Sequence, residues 1–143
     1  THGIDLSSKM CAVTGKRLQR AGLGDAVHLQ TGDAAKLPYE NNYFDAIFIS
    51  FTLELFDTPE IPIVLGECHR VLKLDGKLSI VALEKSDCRA VRIYEWFHAR
   101  MPTLVDCRPI HTATSLEQAR FQLTKRSELT MWGLPVSVLL AKK

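Results

Sequence analysis

Two short apolar runs in this chain each end in an acid, and a segment with helical spacing lies between them. The first run closes as Ile4-Asp5-Leu6, and the second, Val27 to Thr31, closes as Gly32-Asp33-Ala34. Strand, helix and strand in this order make a parallel pair, because parallel neighbours are joined by a crossover rather than a tight hairpin. In such a sheet the carboxyl-terminal ends of the strands face the crevice where ligands bind. Asp5 and Asp33 therefore stand as candidate ligand-binding carboxylates. Asp5 suits two ribose hydroxyls, and Asp33 suits the exocyclic amine of an adenine.

The rest of the chain continues the alternation. Ser7 or Ser8 can cap a helix whose apolar positions Met10, Ala12, Val13 and Leu18 lie roughly on one side, and Gly22 and Gly24 end it. Residues 33–42 form a loop broken at Pro38. Asp45 to Ser50, carrying Ala46, Ile47, Phe48 and Ile49, is apolar on both faces, as expected for a strand between two helical layers. A helix over Ile63 to Leu72 should end near the Asp75-Gly76 turn, before a buried strand over Lys77 to Leu83. Ala90 to Met101 forms another helix, with Val91, Tyr94, Trp96, Phe97 and Met101 as its bulky positions. Of these, the Tyr94, Trp96 and Phe97 cluster belongs to the core rather than to a substrate box. Thr114-x-x-Glu117 reads as a capping box. Phe121 to Trp132 and Val136 to Ala141, around Gly133-Leu134-Pro135, read as an antiparallel hairpin. The expected fold is α/β, a mostly parallel sheet with helices on both faces and a C-terminal antiparallel hairpin. Residues 1–143 form one domain with no internal repeat.

Composition narrows the function classes. A formal net charge of +2 is too small to argue for nucleic acid or an anionic membrane. No apolar run approaches the roughly 20 residues that span a bilayer. Cys11, Cys68, Cys88 and Cys107 are scattered with no C-x-x-C pair, and no His/Cys/Asp spacing matches a zinc site. His98 and His111 read as surface or packing residues, and His69 beside Arg70 falls on a solvated helix face. Free thiols in a reducing cytoplasm are the expectation.

The stretch GDAAKLPYENNYFDAIFIS (Gly32 to Ser50), the aspartate of HGIDLS, the segment LGECHRVLKLDGKLSIV (Leu65 to Val81) and the tail SLEQARF…MWGLPVSVLLAKK occur in the order of a known family. Together they resemble the class I, Rossmann-like S-adenosylmethionine-dependent methyltransferases, and within them the ubiquinone and menaquinone biosynthesis group. The resemblance implies a sheet of order 3-2-1-4-5-7-6 with strand 7 antiparallel, into which these segments fall as strands 2 to 7. Strand 1 and its glycine-rich turn have no counterpart in these residues. The sheet is expected to lack its middle strand, and the chain alone to keep at most the adenosine-side contacts, with negligible methyl transfer. An open sheet centre is expected to aggregate, to close strand 2 against strand 4, or to join two copies as a homodimer.

The resemblance implies S-adenosylmethionine as cofactor and a small-molecule methyl acceptor, with no metal. Asp5 would hold the ribose, or else cap the following helix. Leu6 would lie on the adenine face, or else serve as a plain core residue. Asp33 and the Ala34 backbone N–H would read the adenine edge, or else Asp33 caps the turn at Ala34 and Ala35. Ser50 and Phe51 resemble positions near the methionine half of the cofactor. No residue is named as catalytic, because the sulfonium already makes the methyl group electrophilic and transfer rests mainly on positioning. A non-catalytic methyltransferase-like module and a NAD-dependent oxidoreductase are the competing functions. The second shares an acid after strand 2, but Gly32-Asp33-Ala34 with Leu37-Pro38 and the terminal hairpin argue against it. Arg120, where the family often has glycine, should occupy a left-handed helix cap at some strain.

Overall fold

The computed structural model describes residues 1–86, 89–100 and 108–143. Cys88, Met101 and Cys107 lie outside the described residues, as do the side chains of Phe97 and His98. The chain divides into two compact units, Thr1–Tyr39 and Glu40–Lys143, and each is described by itself.

The first unit is a strand, a helix and a strand. β1 (His2–Asp5) pairs in parallel with β2 (His28–Thr31), with Asp5 opposite Thr31. Between them runs α1 (Ser8–Arg20). Ser7 is the N-cap, since its Oγ accepts the Met10 N–H at 3.3 Å. Gly22, at φ +69°, ends the helix, and the Leu23 N–H returns to the Leu18 carbonyl at 2.9 Å. Gly32 follows β2, and a Cβ there would come within 2.8 Å of Ile4 Cδ1, so the Ile4 side chain would have to shift.

The second unit is a four-stranded sheet of order β3-β4-β6-β5. β3 (Phe44–Ser50) pairs in parallel with β4 (Leu72–Leu83). β6 (Leu134–Lys142) runs antiparallel to both β4 and β5 (Gln122–Met131). Placed in the family frame these strands are 4, 5, 7 and 6, and β1 and β2 are strands 2 and 3. The observed orders are the expected ones with strand 1 left out.

Helices cover the sheet unequally. Leu78, Ile80 and Ala82 of β4 lie opposite Ala141, Leu139 and Ser137 of β6, and all six are buried. α2 (Ile61–Val71) and α4 (Thr112–Gln118) pack on each other and on this sheet, burying Val64, Leu65, Cys68 and Leu116. On the other face, α3 (Arg89–Arg100) packs where Val91 joins Leu83, Leu134 and Val136, flanked by Phe51, Val81, Tyr94 and Met131.

Four expectations need correction. β3 is not buried on both faces. Ile47 and Ile49 sit opposite Leu78 and Ile80 and are half-buried, but Phe48, opposite Ser79, is 67% exposed. The cause is its place in the sheet, since β3 is an edge strand. The capping box at Thr114 does not form, because α4 already starts at Thr112 and Thr114 lies inside it. The hairpin turns at Trp132 and Gly133, at φ +51° and +81°, so Leu134 and Pro135 belong to β6. Paired left-handed residues make the two-residue turn whose twist suits a hairpin. Trp96 is 54% exposed rather than core, and its ring lies 4.9 Å from the Arg100 guanidinium carbon. His69 departs in a smaller way, being half-buried against the Phe121 ring rather than solvated.

Arg120 meets its expectation, whereas the Asp75-Gly76 turn lies inside β4, which begins at Leu72 rather than Lys77. Asp75 is at φ +61° before Gly76, where a Cβ would meet the Lys73 carbonyl at 2.8 Å. Arg120 is at φ +66°, as the missing glycine required.

Candidate functional site

Parallel pairing alone assembles the acidic half of the site. β1 and β2 end in register, and the Gly32 N–H donates to the Asp5 carbonyl at 3.0 Å. Asp33, two residues beyond Thr31, therefore stands at the same carboxyl-terminal edge as Asp5. Both side chains are exposed.

Each carboxylate is oriented by one short local bond. Asp5 Oδ1 accepts the Ser7 N–H at 2.7 Å, so Asp5 braces the helix start while Ser7 is the cap. Asp33 Oδ1 accepts the Ala35 N–H at 2.8 Å, and the Asp33 carbonyl accepts the Lys36 N–H at 3.1 Å. The turn-capping role considered for Asp33 thus exists, and it leaves acceptor capacity over. An ionised carboxylate offers about four lone-pair sites, and each of these two spends one on the backbone. Leu6, directly after Asp5, is 77% exposed and has no place in a core. An open apolar side chain beside two oriented acceptors suits a flat heterocycle carrying hydroxyls and an amine. These residues fit the adenosine portion of S-adenosylmethionine.

In the second unit, Ser50 ends β3 opposite Val81, and Phe51 follows at φ +48°. A bulky residue in the left-handed region costs on the order of 1–3 kcal/mol and persists only where its surroundings over-determine it. Here the Phe51 N–H donates to the Val81 carbonyl at 2.8 Å, and Thr52 Oγ1 donates to the Ser50 carbonyl at 2.9 Å. The Phe51 ring packs on the Leu83, Val91, Leu134 and Val136 cluster. The turn is held from three directions.

Beyond it lies a group that sequence reasoning missed. Glu54 is fully buried in the short 3-10 turn Leu53–Leu55. Its Oε1 accepts the Leu83 N–H at 3.1 Å, while Oε2 meets no hydrogen-bond partner among the described residues. Burial pushes its carboxyl above the ordinary range, against the opposing pull of hydrogen bonds from the backbone. Arg108 closes the same corner, its N–H donating to the Glu54 carbonyl at 3.2 Å and its Nη2 to the Phe56 carbonyl at 2.7 Å. The one available signal was an acid inside the apolar run FTLELF, just past a strand end.

At the amino end of β3, Lys73 Nζ bonds Asp45 Oδ1 at 2.7 Å, and that bond holds the exposed Asp45 carboxyl below its ordinary range. Cys68 is buried between helices, where desolvation pushes its thiol up to about 12 and makes it a packing residue. Among the described residues no three His, Cys, Asp or Glu side chains gather as metal ligands.

Comparisons with known proteins bear on the family and the fold. A family model described as a methyltransferase domain matches residues 1–80. The demethylmenaquinone methyltransferase of Lactobacillus johnsonii is 38% identical over 79 residues, covering 55% of this chain and 32% of that protein. The ubiquinone/menaquinone biosynthesis C-methyltransferase UbiE of Rhizobium rhizogenes is 32% identical over 101 residues, covering 69% and 38%. The chain thus spans about a third of the length of these curated relatives. Among solved structures, a SAM-dependent methyltransferase from Methanosarcina mazei aligns with 99% of this chain and 81% of its own, at TM-score 0.80 and 17% identity. The [4+2]-cyclase SpnF aligns with 99% and 66%, at TM-score 0.77 and 20% identity. Likeness at that identity speaks for the fold alone, which hosts more than one chemistry.

Proposed function

The chain belongs to the methyltransferase-domain family, and from that premise we propose that it binds S-adenosylmethionine and serves methyl transfer to a small quinone-type acceptor. The observation that carries the reading is the pair of exposed carboxylates, Asp5 and Asp33, brought to one edge by the Gly32–Asp5 bond with acceptor capacity to spare. Asp5 would accept the two ribose hydroxyls and Leu6 would lie on the adenine face. Asp33 would accept the exocyclic amine while the Ala34 N–H donates to the base edge. Ser50 and the strained Phe51 turn would meet the methionine half. When bound, the cofactor supplies the electrophilic methyl group, and the chain's own residues orient it.

The acceptor class rests on the names of relatives, among them the demethylmenaquinone methyltransferase and a 2-phytyl-1,4-naphtoquinone methyltransferase. We also read residues 1–143 as one methyltransferase-like domain, supported by solved structures that align with 99% of the chain. Cys11 and Cys68 are free thiols, which suits a reducing cytoplasm, and no helix among the described residues is long and apolar enough to cross a membrane. A homodimer through β3 completes the reading. Its support is an edge strand with the exposed Phe48.

Calorimetric titration with S-adenosylhomocysteine, beside a labelled methyl-transfer assay on a demethylated naphthoquinone, tests the function. Measurable binding by the natural chain, weakened by about 1.5–3 kcal/mol in Asp5→Ala, is the expected result. A natural chain that binds neither cofactor nor product overturns the reading.

A further inference from the structure

β3 stops at Ser50, but β4 runs on to Leu83, so the last groups on that edge of β4 need other partners. The Val81 carbonyl still finds the Phe51 N–H at 2.8 Å. The next donor on the same edge is the Leu83 N–H, which a straight strand would meet with the Phe51 carbonyl. The left-handed turn at Phe51 carries that carbonyl away, and the N–H goes to Glu54 Oε1 at 3.1 Å instead. The Leu83 carbonyl then takes the Ile110 N–H at 3.0 Å, and the Glu54 carbonyl takes the Arg108 N–H at 3.2 Å. One residue, Glu54, therefore joins the end of β4 through its carboxyl and the incoming segment at Arg108 through its backbone carbonyl, just past the exit of β3.

A buried carboxyl is a poor choice where stability alone is at stake. Its second oxygen meets no partner among the described residues, and a well-packed apolar side chain in its place would avoid that desolvation. A side chain that extends a ladder past a strand end fixes backbone position, which packing alone does not.

We propose that Glu54 is a positioning residue whose buried carboxyl replaces the strand partner lost at Ser50 and so holds the Ser50–Thr52 turn in place for the bound cofactor. The inference rests on the cofactor reading above, and it assigns Glu54 no contact with the ligand.

The test uses the full 143-residue chain with S-adenosylhomocysteine as probe, read by calorimetry, and amide exchange at Phe51 and Leu83, read by NMR. Glu54→Gln keeps an acceptor for the Leu83 N–H and should retain affinity and protection within about threefold. Glu54→Leu keeps the volume but not the acceptor. It should weaken the probe by about tenfold or more while its melting temperature stays near that of the natural chain. Exchange at Phe51 should quicken by about tenfold, with α2 and α4 unchanged. If the leucine variant does not fold, Glu54→Asp, one methylene too short to reach Leu83, should show the same losses. Unchanged affinity and unchanged Phe51 protection in either variant would overturn the proposal. So would a glutamine variant as impaired as the leucine one, since the carboxyl would then act directly. A natural chain that binds no probe defeats the cofactor reading, and Phe51 exchange still decides whether Glu54 holds the turn.

Discussion

The Gly32 amide donates to the Asp5 carbonyl across 3.0 Å, one step beyond the last paired residues of β1 and β2. That bond carries the parallel ladder past Thr31 and sets Asp33 beside Asp5 at the edge of the sheet. A glycine there lets the two backbones close over the Ile4 side chain, which a Cβ would strike at 2.8 Å.

Removing the Asp5 carboxylate tests the ribose role. Asp5→Ala should weaken S-adenosylhomocysteine by about 1.5–3 kcal/mol, the range for hydrogen bonds to a charged group. The fold should survive, because Asp5 is exposed and gives up only its bond from Ser7. Calorimetry with thermal melts on the same preparation separates the two, and unchanged affinity would remove Asp5 from the site.

For Asp33 the informative change is to asparagine rather than alanine. An amide oxygen still accepts the Ala35 N–H, so the turn should hold. The same side chain offers an adenine amine one acceptor fewer. Asp33→Asn should therefore keep its melting temperature and lose the preference for adenosine over inosine analogues. A retained preference would show that Asp33 only caps the turn.

Glu54 also makes stability depend on pH in a stated direction. Burial raises its folded-state pKa above the ordinary value near 4.5, so the folded chain holds a proton that the unfolded chain releases. The stability from this group is complete below the unfolded pKa and is lost as pH rises through the folded pKa. Glu54→Gln has nothing to lose in that window. Melting curves at pH 5 and pH 8 should show the natural chain falling relative to the glutamine variant. A constant difference between the two would mean that the carboxyl stays ionised throughout.

Thiol reactivity should follow burial. Cys68, with its pKa pushed up to about 12, has almost no thiolate at pH 8 and should resist iodoacetamide until the chain unfolds. Cys11 is only half-buried and should label in the native state. Peptide mapping by mass spectrometry reads both, and rapid native labelling of Cys68 would contradict its packing between the helices.

Self-association should run through β3. Phe48→Lys adds charge to an exposed edge-strand face without touching the Ile47 and Ile49 side, and it should weaken a homodimer by about tenfold or more. Sedimentation equilibrium of both chains decides this, and an unaltered dimer would move the interface elsewhere.

Much of this protein was written in local patterns. Apolar runs, glycines and the Asp-Gly turn sufficed to place six strands and four helices in order, because each depends on residues a few positions apart. Asp5 and Asp33 were legible for the same reason, since each closes its own strand. Arg120 was legible as a strained cap, since a helix end tolerates few alternatives to glycine.

Other features depend on what a residue meets far along the chain. Phe48 looked like core because it sits in the apolar run Ala46 to Ile49, yet β3 is an edge strand and leaves its ring exposed. Glu54 looked like an ordinary polar residue, and only the end of β3 beside a continuing β4 turns its carboxyl into a strand partner. The sequence by itself determined which segments become strands and helices, and which acids stand at strand ends. Tertiary structure decided which faces stay open and which carboxyl is buried, because hydrogen-bond partners and burial come from segments distant in sequence.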